Sequence, residues 1–80
     1  MVRVWADFNN RDEQGRVRLN TVGSLKDIEK HHDEIREGTK VILNAEDDFE
    51  VEARLTFDKV WRAIPDMTTI KYLNSEDAQE

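Results

Sequence analysis

The chain has no cysteine among its 80 residues. That excludes disulfides, thiolate zinc centres and a cysteine nucleophile, and it fits a reducing compartment. Three glycines are too few for a Gly-rich phosphate cradle. There are two serines: Ser24 reads as a helix cap and Ser75 lies in the terminal segment, so neither is a candidate nucleophile. No run approaches the roughly 20 apolar residues that a spanning helix needs. The first residues already alternate as a strand does, and nothing there reads as a signal peptide. These absences point to a soluble, cytoplasmic, non-catalytic chain without metal or cofactor.

What is present is charge and alternation. Twelve basic residues stand against 18 acidic ones, for a net charge of −6, a sign that opposes non-specific binding to phosphate backbones. The distribution is lopsided. Residues 1–18 carry Arg3, Arg11, Arg16 and Arg18 against three acids, and nearly all the excess acid lies beyond them.

In residues 2–8, Val2, Val4, Ala6 and Phe8 alternate with Arg3, Trp5 and Asp7, the pattern of a half-buried strand. The stretch "NNRDEQG" (9–15) is a loop, and 16–22 is a second strand with Val17, Leu19 and Thr21 on one face. Parity predicts a hairpin of these two, with Phe8 opposite Val17, Asp7 opposite Arg18 and Trp5 opposite Asn20. "GSLKDIEKHHDEIREG" then changes period. Ser24 is the expected N-cap with Asp27 in a capping-box position, Leu25, Ile28, His32 and Ile35 form a thin apolar stripe, and Gly38 is the expected C′ residue. So thin a stripe also allows the helix to end near His31.

Residues 39–45 and 49–57 predict a second hairpin pairing Ala45 with Phe49, Leu43 with Val51 and Val41 with Ala53. A third link, "DKV", sets Phe57 across from Trp61 and Leu55 across from Ala63, which makes Trp61 a core residue. Pro65 and Asp66 end that strand, 68–73 is a last short strand, and 74–80 is a disordered acidic tail. The expectation is one domain over 1–73: mainly β with one short helix, a small SH3-like or related barrel of five to six strands.

Most candidate constellations are weak. In "EKHHDE" (29–34), adjacent histidines diverge by about 100° on a helix and share no metal readily. "AEDDFEVE" (45–52) lacks the glycine and ligand spacing of a calcium loop. The rhythm of "EIREGTKVIL…FEVEARLTF" resembles that of many small barrels, among them the PilZ domains, a resemblance that would imply a cyclic-dinucleotide ligand. The two arginines four apart and the Asp-x-Ser-x-x-Gly segment that such binding requires are missing, so that ligand is disfavoured.

The outer face of the first hairpin is the better candidate. Arg3, Trp5, Arg16, Arg18 and Asn20 together would offer a tryptophan among guanidinium groups, residue types that anchor interfaces. The expected partner is a protein, or a second copy of the chain. The alternative is single-stranded RNA or DNA with Trp5 stacking on a base, which the net charge disfavours.

Overall fold

The computed structural model describes residues 1–46 and 48–73. The tail expected over 74–80, and Asp47 of the second hairpin's loop, lie outside these residues. Strict alternation dictates the centre of the sheet. β3 (Lys40–Ala45), β4 (Phe49–Asp58) and β5 (Val60–Pro65) form an antiparallel meander. Its registers are those the apolar pairs require: Leu43 faces Val51, Leu55 faces Ala63 and Phe57 faces Trp61. Lys59, at φ 66°, makes the tight connection between β4 and β5.

The flanks depart from expectation. β1 (Arg3–Trp5) pairs in parallel with β3, and β2 (Val17–Arg18) pairs antiparallel with β5. The sheet order is β1-β3-β4-β5-β2, so the predicted first hairpin does not form. In its place Arg11 bridges Val17 and Asn10 receives the Arg18 N–H. The alternation in 2–8 placed Val2, Val4 and Ala6 on the buried face correctly. It could not choose the partner strand, because parity specifies a face and not a neighbour.

α1 spans Val22–Lys30 and ends at His31, the shorter of the two lengths the stripe allowed. Its N-cap is Thr21, whose hydroxyl oxygen accepts the Ser24 N–H at 3.2 Å. Ser24 is not the cap; it is fully buried one turn further on. The predicted stripe also fails, since Leu25 and His32 are exposed and buried Ile35 lies past the helix end. Gly38, at φ 81°, serves the turn into β3 rather than the helix terminus, and donates its N–H to Leu55.

Residues 67–69 form a 3-10 turn capped by Asp66, leaving a last strand, β6 (Lys71–Tyr72), of two residues against the start of β4. The threonines expected in that strand serve the cap instead, with Thr68 donating from both its N–H and its hydroxyl to Asp66.

The sheet is mainly antiparallel and curls into a half barrel with one helix. Its core is Val4, Val17, Leu19, Val41, Leu43, Val51, Ala53, Leu55 and Ala63, with Phe8, Ile28, Phe49, Trp61 and Ile70 packed around it. Trp61 is therefore half-buried rather than enclosed. Phe57, expected inward, is 56% exposed at the end of its strand, where its ring meets Trp61 edge-on at 5.2 Å.

Candidate functional site

A terminal strand of a sheet presents unpaired backbone groups that invite pairing with another chain. On β1 the helix occupies that edge. Asp27 Oδ2 accepts the Trp5 N–H at 2.8 Å, and the Ser24 hydroxyl donates to the Trp5 carbonyl. Both backbone polar groups of one tryptophan are thus held by helix side chains on the free edge of β1. The residues that resembled a capping box are used for this tertiary contact.

The Trp5 ring lies against Gly23. A Cβ built there would stand 3.1 to 3.3 Å from ring atoms Cδ2, Cε3 and Cγ. A side chain at Gly23 would press on the ring by a few tenths of an ångström, and the cover on one side of the ring is backbone. Trp5 remains partly exposed and lines three surface cavities. One, of about 480 Å³, includes Arg3, Lys30 and His31; the second, of about 360 Å³, includes Lys26 and Asp27.

The third cavity, about 630 Å³, opens where β1 and β3 part company. Their ladder ends at the Ala6 N–H to Asn44 carbonyl bond, 3.0 Å. Beyond it the chain from Trp5 to Asn9 forms one wall, and Ala45, Glu46, Asp48 and Phe49 form the other. Phe8 and Phe49 meet at its floor with ring centroids 4.8 Å apart, and Tyr72 continues the aromatic row 6.1 Å from Phe49.

The five residues expected to share one face are divided between the two ends of the sheet order. Arg3 and Trp5 lie on β1, where Arg3 Nε donates to Glu50 at 2.9 Å. Glu50 is held below its ordinary value chiefly by this guanidinium, against the opposing effect of burial, with Asn44 assisting. Arg16, Arg18 and Asn20 lie at and beside β2. Arg18 donates to the Asn10 side chain and the Arg11 carbonyl, and Asn20 accepts from Asn10. Asp7, expected opposite Arg18, instead accepts the Asn9 N–H.

Arg16 belongs to a clamp that the sequence reading missed. The Asp12 carboxylate accepts four donors: the Gln14 and Arg16 N–H groups, Arg16 Nε at 2.8 Å and Arg62 Nη1 at 2.9 Å. Burial opposes its charge, but the four hydrogen bonds prevail and hold Asp12 well below the usual carboxylate range. Arg16 also reaches Asp58 at 3.1 Å, and these contacts raise its own value against the cost of burial. The legible signal was "DEQG": an aspartate opening a turn that closes at Gly15, φ 82°. This corner ties the 12–16 turn to β5 and uses its charges internally.

No protein-family profile, no curated protein and no solved structure matches the chain.

Proposed function

We propose that this chain is a non-catalytic binding module, a small SH3-like or related barrel of the cytoplasm, that recognises a protein partner through a surface centred on Trp5. The observation that carries this reading is the presentation of one aromatic ring. Its backbone N–H and carbonyl are fixed by Asp27 and Ser24, one side of the ring rests on Gly23, and the residue borders three open cavities. A large ring with its backbone fixed and one face supported before binding loses less conformational freedom on contact, which favours it as an interface anchor. Arg3 borders the same region. Arg16, Arg18 and Asn20 stand apart from it, so the recognition surface proposed is the Arg3/Trp5 half of the face read from sequence.

The nucleic-acid alternative needs free guanidinium groups for phosphates. Arg3 is paired with Glu50, and Arg16 with Asp12 and Asp58. No observation favours it over a protein partner.

The test is selection of displayed random peptides on the folded chain, with folded Trp5→Ala as the counter-target. Peptides retained by the parent chain and not by the variant support the reading. Peptides that bind both equally, or that map to the Phe57/Trp61 end, overturn it.

A further inference from the structure

The cavity at the fork of β1 and β3 combines an apolar floor with a rim of one sign. Trp5, Phe8 and Phe49 supply the aromatic surface; Asp7, Glu46 and Asp48 supply three carboxylates, and among the described residues no lysine, arginine or histidine lines it. None of the ion pairs among the described residues engages Asp7, Glu46 or Asp48. Asp7 and Glu46 sit on opposite walls, so a segment lying between the walls meets negative charge on both sides while its own side chains reach the rings. Lysine and arginine suit this combination. Their aliphatic stems cover apolar surface, their cationic heads are attracted to aromatic faces, and the same heads pair with rim carboxylates.

We infer that the fork groove between the Trp5–Asn9 segment and the Glu46 and Asp48 side takes an extended basic segment of a partner protein, with lysine or arginine side chains over Trp5 and Phe8 and paired to Asp7, Glu46 and Asp48. The inference rests on the binding-module reading and adds the chemistry of the partner. It also accounts for a fork left open: the two walls diverge after the last β1–β3 hydrogen bond, and what stands between them is aromatic surface edged by carboxylates.

The test uses three capped peptides of equal length, alternating leucine with arginine, glutamine or glutamate, titrated into the isotopically labelled chain. Amide shifts at Trp5, Phe8, Phe49 and Asp48 report the groove. The expected result is binding of the arginine peptide there, weakening as salt rises, with affinity reduced about tenfold in Glu46→Gln/Asp48→Asn. That variant changes two exposed side chains, and its amide spectrum verifies the fold. Groove shifts of equal size with the glutamine peptide, unchanged in the variant, overturn the basic-partner inference and leave the module reading standing. Concentration-dependent self-association through the groove makes the occupant a second copy and overturns it as well. If no peptide moves these amides and the displayed-peptide selection also fails, both fall.

Discussion

Asp27 Oδ2 accepts the Trp5 N–H at 2.8 Å, so a helix carboxylate finishes the hydrogen bonding that β1 leaves open at the sheet edge. Together with the Ser24 hydroxyl on the Trp5 carbonyl, this makes the helix the cover of the edge strand. The same two contacts fix the tryptophan on which the proposed function depends, so stability and recognition share one joint.

Removing that joint should cost both. Asp27→Ala leaves a half-buried N–H without its charged acceptor, a loss of about 1–3 kcal/mol. Asp27→Asn keeps an acceptor oxygen and should lose less. Urea unfolding gives the stabilities, and hydrogen exchange at the Trp5 amide should accelerate in the alanine variant ahead of the amides of β3 and β4. If Trp5 exchanges no faster than they do, the helix does not hold the edge.

Gly23→Ala sets two effects against each other. Alanine favours the helix by up to about 1 kcal/mol, while its Cβ would stand 3.1 Å from the ring. Open cavity borders Trp5, so the ring has room to turn aside. We expect stability to change by less than about 1 kcal/mol while Trp5 emission, read in a Trp61→Phe background, shifts and groove affinity falls. An unchanged emission spectrum would show that the close approach does not position the ring.

Trp5 and Leu43 separate display from core. Leu43 is fully buried between β1 and β4, and Leu43→Ala should cost about 2–5 kcal/mol. Trp5→Ala should cost less than the about 3–5 kcal/mol of an enclosed tryptophan, because Trp5 is only partly buried at the edge of the sheet. Equal losses in parallel denaturant titrations would make Trp5 scaffold and remove the anchor of the proposed site.

The contrast between the centre and the flanks marks what the sequence reading could reach. Val41, Leu43, Val51, Leu55 and Ala63 alternate across short links, so matching apolar residues leaves one register for β3–β4 and one for β4–β5. Near the N-terminus the same rule named the buried face and then paired Phe8 with Val17, where Arg11 stands instead. A parallel pairing of β1 with β3 is non-local, and alternation carries no information about it. Ser24 and Asp27 matched a local capping pattern so well that their tertiary use was hidden. Of the site, Trp5 was legible as an aromatic on a polar face. The fork groove was not, because it depends on where two strands distant in sequence separate.

Acid should weaken the fold, and Asp12 should carry a large part of the effect. Its ordinary value is 3.8, and in the folded chain it lies well below that. A depressed value means that the unfolded chain takes up the proton first as pH falls. The stabilisation is therefore complete above about pH 4 and is lost as pH drops from there toward the folded value. Glu37, which accepts the Phe57 N–H and the Thr56 hydroxyl, Glu50, held by Arg3, and Asp66, held by Thr68, are depressed in the same direction and add to the slope. Asp12→Asn keeps one acceptor oxygen for the turn but gives up the charge that Arg16 and Arg62 meet. It should be less stable than the parent at neutral pH, and its stability should fall less steeply through the acid range, so that the two curves converge as pH drops. Denaturant midpoints from pH 7 down to pH 3 measure this directly. Parallel curves would mean that the proton taken up on unfolding binds elsewhere, and that the Asp12 clamp contributes shape without charge.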